Sequence, residues 1–255
     1  MKARSLLLIV MIVFLGTQCD KNKGNAAGEL LDHIERNSQL YAEYSYSQSF
    51  GQKKIAYILF HEDHGHTAKI SFGYQNDTIT TIRTYWDGDL QNRYALTYSG
   101  GLPLKCTIYD GEGTQEGYIN FSRSNGKVSA MEYDLGDGMG MKKLTFTYNG
   151  NNIAQMDWYS RNADNQWVLM RKYTFEYDSQ RNPYALLSIP AYMTDPIEIA
   201  RRACSNNVIA MHVYDEYNHV NLGTFHYTYT YYDNGMVKTM VESAGNVSYT
   251  LYYQK

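Results

Sequence analysis

Six acidic side chains, Asp87, Asp89, Asp110, Glu112, Asp134 and Asp137, recur near glycines at matching places in successive segments. Hard oxygen ligands gathered on one edge are what Ca²⁺ prefers. The same Asp-Gly steps are also ordinary turn chemistry, the side chain accepting from the backbone two residues on. No segment has the spacing of a known calcium loop. The densest metal-capable stretch is His61-Glu62-Asp63-His64-Gly65-His66, in which His64 and His66 alternate. Zinc requires three or four converging ligands, and a turn at Gly65 explains the polarity without metal. No G-x-S-x-G elbow, H-E-x-x-H helix or phosphate-binding glycine loop is present. Carboxylates for a glycosidase abound, but nothing selects a pair. The expectation is a protein that is not an enzyme and carries no cofactor. Aromatic chemistry is the remaining option. Trp86, Trp158 and Trp167, with Tyr232 and Tyr252 set opposite their neighbours, are the candidates for a sugar- or peptide-binding platform, since such rings pair an apolar face with a polar tip.

The elements that must position these groups are strands. In Lys143 to Tyr148, Leu144, Phe146 and Tyr148 fall on one face and Lys143, Thr145 and Thr147 on the other. Tyr173, Phe175 and Tyr177 oppose Lys172, Thr174 and Glu176; Phe225, Tyr227, Tyr229 and Tyr231 oppose His226, Thr228 and Thr230. Period two in aromatic and β-branched residues marks half-buried strands. Asn125-Gly126, Asn149-Gly150 and Asn234-Gly235 supply the positive φ of tight hairpins. The unit of run, turn, run, turn recurs roughly every 25 residues, within the range of repeat architectures. About a dozen antiparallel strands follow, with most of the 26 tyrosines on the inward face. Ile153 and Met156, like Val237 and Met240, stand three apart, a spacing that a β-bulge reconciles with a common face.

The fold class is therefore mainly β, a curved meander closing into a half-barrel or barrel. Two segments depart from it. Leu30, Leu31 and Ile34 suit a short amphipathic helix over 25–36. Near 188–207, Thr194 or Asp195 could cap a helix, Pro196 begin it and Ser205-Asn206-Asn207 end it. Such an insert would plug or cap the curled sheet.

The N-terminus sets the address. Lys2 and Arg4 precede an unbroken apolar run from Leu6 to Leu15, and Gly16-Thr17-Gln18-Cys19 follows. That is a secretory signal, too short to span a bilayer of about 30 Å. Cys19 at the processing point resembles the lipobox of bacterial lipoproteins, although Gln18 stands where Gly, Ala or Ser is usual. The alternative is an ordinary signal in which Cys19 is incidental. The division is 1–18 signal, 19–26 lipid-anchored spacer and 27–255 one repeat domain. Loss of Lys2 and Arg4 moves the formal net charge from -3 to about -5, which with no basic stripe excludes nucleic acid as a main partner. Cys106 and Cys204 could form a disulfide or remain buried thiols.

The pairs Trp86-Asp87, Tyr109-Asp110, Tyr133-Asp134, Tyr177-Asp178, Tyr214-Asp215 and Tyr232-Asp233 resemble the tyrosine-aspartate repeat proteins. The steps Asn182-Pro183 and Asn206-Asn207, bracketing the insert, are similar to a group of Bacteroidetes-type lipoproteins. The resemblance covers most of the chain after about Ile70. It implies a curved antiparallel sheet on a lipoprotein of the cell envelope, at the outer membrane and either periplasmic or surface-exposed. The function expected is a scaffold or protein-interaction module; the alternative is a glycan- or peptide-binding lipoprotein. The membrane is contacted through lipid.

Overall fold

The computed structural model describes residues 12–14, 30–49, 52–134, 141–187, 191–193 and 196–254. Sixteen strands make one closed barrel, every neighbour antiparallel. They are β1 (Leu31–Arg36), β2 (Gln39–Ser49), β3 (Gln52–His61), β4 (Thr67–Gln75), β5 (Thr78–Trp86), β6 (Asp89–Ser99), β7 (Leu102–Asp110) and β8 (Gln115–Ser124). The second half is β9 (Lys127–Asp134), β10 (Lys142–Asn149), β11 (Asn152–Arg161), β12 (Trp167–Arg181), β13 (Asn206–Asp215), β14 (Val220–Tyr231), β15 (Val237–Glu242) and β16 (Val247–Tyr253). β16 pairs with β1, so the meander closes on itself. A separate short ladder joins Ile12–Phe14 to Ala191–Met193. The hairpin turns use the left-handed region as expected, Asn125-Gly126 having φ of 51° and 72°.

The expected bulges are present, and they are general. The pairs Leu31 and Ile34, Ile55 and Ile58, Ile79 and Ile82, Val128 and Met131, Ile153 and Met156, Val208 and Met211, Val237 and Met240 are all buried and all three apart. Pro103 and Cys106 complete the set of eight. In each, the register slips beside the first member, and at Val208 it slips on both sides. This corrects the helix expected over 25–36. Its described end is strand β1, because the three-residue spacing of Leu31 and Ile34 is the bulge signature. Helical turns produce the same spacing, and the segment lacked the hairpin context that identifies the later units.

At seven of the eight bulges a tyrosine from a neighbouring unit donates to the carbonyl of the first member. Tyr46 Oη donates to Leu31 O (2.8 Å), Tyr74 to Ile55 (2.8 Å), Tyr98 to Ile79 (2.7 Å) and Tyr148 to Val128 (2.9 Å). Tyr177 donates to Ile153, Tyr229 to Val208 and Tyr253 to Val237, each at 2.8 Å. The series runs around one end of the barrel. Where the pattern calls for an eighth tyrosine, Arg123 bonds the Ser99 carbonyl instead. Tyr253 on β16 and Leu31 on β1 are register partners, so the two ends of the described barrel supply two halves of one repeat unit. Asp110, Asp134 and Asp215 are the last residues of their strands. Asp110 accepts from the backbone of Glu112 (3.0 Å) and Thr114 (2.7 Å), and Asp215 from Asn218 (2.8 Å).

The helical insert lies between β12 and β13 as α1 (Pro196–Ala203); Thr194 and Asp195, the expected caps, fall outside the described residues. Ile199, Ala200 and Ala203 of α1 join one apolar core that reaches from Leu31 to Leu251. Asn182 and Asn207, both buried, pin the ends of the insert. Asn182 Nδ2 donates to Cys204 O (2.8 Å), and Asn207 donates through N and Nδ2 to the Asp178 carboxylate (3.0 Å each). Cys106 and Cys204 are free and buried. Burial pushes the Cys106 thiol up to about 12 and that of Cys204 to about 11.

Candidate functional site

The two faces of the barrel wall decide what kind of site this protein can have. Residues paired across strands share a face. Phe72, Ile82, Tyr94 and Ile108 form one inward row across β4 to β7, and all four are buried. Thr97, Lys105, Asn120, Glu132, Lys143 and Tyr159 form an outward row across β6 to β11. Outward charges lie along the wall, with Lys143 Nζ near the start of β10 on Glu132 at 2.9 Å, and Lys172 Nζ reaching Glu216 in the turn after β13 at 2.7 Å. A barrel that spans a membrane has the opposite arrangement, an apolar band outside and a polar interior. Each lysine or arginine turned to the bilayer midplane would cost about 2–4 kcal/mol. The interior does not resemble an aqueous pore, since large apolar side chains and α1 fill it.

Inside, the one α-helix among the described residues carries a charged cluster. Glu198 meets Arg201 Nη1 at 2.9 Å and Arg202 Nε at 2.6 Å. Arg201 lies 4.6 Å over the Tyr227 ring and Arg202 5.4 Å over that of Tyr184. Burial acts to raise the Glu198 carboxyl, but Arg202 and Arg201 outweigh it and hold the group down at about 2. The neighbouring space, about 10 Å³, has room for roughly one water. This cluster fastens α1 inside the barrel and has no room for a substrate.

The larger concavity lies on the outer wall. A groove of about 720 Å³ runs over β1, β2 and β3, lined by Asp32, His33, Glu35, Glu43, Tyr57 and Lys53 among others. Its parts are fixed by short contacts. His33 lies flat on Tyr252 with ring centres 4.2 Å apart and an interplanar angle of 11°. His33 Nδ1 is 2.9 Å from Asp32, Tyr252 Oη donates to Glu35 at 3.1 Å, and His61 Nε2 is 2.6 Å from Glu43. Lys53 Nζ donates to Gln254 at 2.9 Å at one end.

The candidates from sequence are dispersed. His66 Nδ1 meets Asp87 at 2.6 Å and stacks on Trp86 at 5.6 Å. The backbone N–H of Thr67, then His66, holds the Asp87 carboxyl below its ordinary range. His61 goes to Glu43 instead, and His64 lies exposed in its turn with φ 66°. Asp110 folds back on its own turn, and Asp134 ends β9 beside the undescribed stretch that contains Asp137. Among the described residues, no three His, Cys, Asp or Glu converge to hold a metal. Trp158 shares the inward row of Phe121, Met131 and Leu144. Trp167 lies beneath Arg161 (4.7 Å) and Lys143 (5.6 Å). Tyr232 donates to Leu251 O at 3.2 Å. Of the five aromatics, only Tyr252 adjoins the groove. Cys19 lies outside the described residues. Sequence reasoning missed Asp32, His33 and Glu35 because a helical reading of 25–36 gave that segment no strand face, and Glu43 because it then had no partner strand across from it.

No known family matches the chain, and no curated protein is similar to it. Among solved structures, a porin-like protein from Bacteroides uniformis is 12% identical, with a TM-score of 0.39, covering 89% of this chain and 98% of that one. A porin-like protein from Bacteroides vulgatus is 9% identical, with a TM-score of 0.45, covering 88% and 98%. A TcdB2-TccC3-Cdc42 complex gives 9% identity and a TM-score of 0.17 over 86% of this chain and 18% of that one.

Proposed function

We propose that this chain is an envelope lipoprotein of tyrosine-aspartate-type repeats, tethered through Cys19, which acts as a non-catalytic recognition module and not as a channel. The observation that carries this reading is the polarity of the wall, apolar and filled within, charged and hydrogen-bonded without. Such a barrel is stable in water and reaches a membrane by lipid, a single acyl chain binding only reversibly and two or more holding it. The described chain enters the barrel at Leu30, eleven positions after Cys19, at the end circled by the tyrosine series. The opposite end of the wall then points away from the membrane. Closure leaves no unpaired barrel edge for a partner strand to join, so recognition falls to the side chains of the outer wall, where the β1–β3 groove offers a concavity of about 720 Å³. Two measurements test this. Radioactive palmitate should label the chain and fail to label Cys19→Ser. Planar bilayers exposed to the purified chain should show no unitary conductance; discrete openings would overturn the reading.

A further inference from the structure

Given an outer wall used for recognition, the groove over β1–β3 has a chemistry of its own. Elsewhere on that wall Glu132, Glu216 and Asp77 meet Lys143, Lys172 and Lys54, and the single carboxylates Asp87 and Glu176 meet His66 and His212. In the groove, Asp32, Glu35 and Glu43 are held by His33, Tyr252 and His61. A carboxylate offers about four acceptor positions, and one directional contact orients it while leaving others for a ligand. Beside these acceptors lie aromatic faces. Tyr57, half-buried, shares an outward row with Ser45; Lys69 Nζ lies 4.6 Å over its ring on one side, the ring otherwise lining the groove, and the His33–Tyr252 stack forms the adjoining wall. Lys53 and Gln254 add donors at one end.

Rigid acceptors and donors around half-exposed rings suit a ligand with hydroxyls on its rim and C–H groups on its faces. A peptide would look for a strand edge, which the barrel lacks, or for a mainly apolar trough, whereas the groove has only Leu40 and Leu59 as aliphatic lining. Three carboxylates repel uronic or sialic acids. The volume of about 720 Å³ lies within the range of small-ligand sites. We infer that the groove binds neutral oligosaccharides, their hydroxyls on Asp32, Glu35 and Glu43 and a pyranose face on Tyr57. This rests on the recognition-module reading and gives it a ligand class.

The test uses the full chain in a non-glycosidic detergent on an array of neutral and acidic oligosaccharides, with calorimetric titration of the strongest neutral hit. Tyr57→Ala and Glu43→Gln should each weaken binding about tenfold or more. Tyr109→Ala, on the outer wall beneath Arg93, should leave it unchanged. Near-native circular dichroism is expected of all three, since Tyr57 and Glu43 are partly solvent-exposed. A silent array, hits confined to acidic glycans, binding that survives both groove variants, or capture of hexalysine in place of sugars would each overturn the assignment. Silence from a chain that still takes palmitate and conducts nothing would remove the ligand class alone. Unitary conductance would remove the reading beneath it.

Discussion

Substituting Tyr148→Phe removes one oxygen and leaves the ring in place. The Oη donates to the Val128 carbonyl at 2.9 Å, at the point where the β8–β9 register slips. Val128 is 2% exposed, so water cannot readily replace the lost donor. An acceptor buried without a partner costs about 1–3 kcal/mol. For a domain of this size, each kcal/mol moves the melting temperature by roughly 2–4 °C. Thermal unfolding followed by circular dichroism should therefore show a fall of about 2–12 °C. The control is Tyr159→Phe, an outward tyrosine in the row of Lys143, expected to stay within about 0.5 kcal/mol of the parent. Equal stability of the two variants would refute the view that the tyrosine hydroxyls fasten one repeat unit to another.

The same seven tyrosines should resist alkali. Burial, the leading cause in each, raises the phenols of Tyr46, Tyr74, Tyr98, Tyr148, Tyr177, Tyr229 and Tyr253 above their ordinary value of 10.0. Their contribution is complete below pH 10 and is lost as pH rises beyond it, so the phenolate absorbance of these groups should appear together with unfolding and not before it. Glu198 works in the opposite sense. Its folded value of about 2 lies below the ordinary 4.5, so its contribution is complete above pH 4.5 and falls away toward pH 2. Glu198→Gln should flatten that limb of the pH–stability curve and, by stranding two arginines, destabilise the protein by about 3–5 kcal/mol. Gly111→Ala would place a Cβ 2.2 Å from the Leu90 carbonyl oxygen. Denaturant titration should show a loss of about 1–3 kcal/mol from that overlap.

Much of this architecture is legible in the chain because alternation and turn chemistry act over a few residues. Phe146 and Phe175 are buried as their alternation requires, and the three-residue step from Ile153 to Met156 is a bulge. The sequence reading of about a dozen strands falls short of sixteen, since short strands such as β15 and β1 carry few alternations. The tyrosine series was not legible. Periodicity shows that Tyr148 faces inward but cannot show which carbonyl its hydroxyl reaches 20 residues away. The groove was hidden for a related reason. Asp32, Glu35 and Glu43 share the β1–β2 hairpin, which a helix over 25–36 does not contain, and Tyr252 reaches them only when β16 closes on β1. The insert was legible through Pro196 and the flanking asparagines; the charged cluster that anchors it depends on its being swallowed by the barrel.

The most direct test concerns the wall itself. Thr145 lies mid-wall between Ala130 and Asp157, and the two native thiols beyond Cys19 are buried and raised above the reactive range. Thr145→Cys, carried by the lipidated chain on nanodiscs, is to be treated with a membrane-impermeant maleimide. Complete labelling at the rate of a water-exposed thiol is predicted. A thiol at 145 that stays unreactive until the lipid is dissolved would mean that the wall faces the bilayer, contradicting the account.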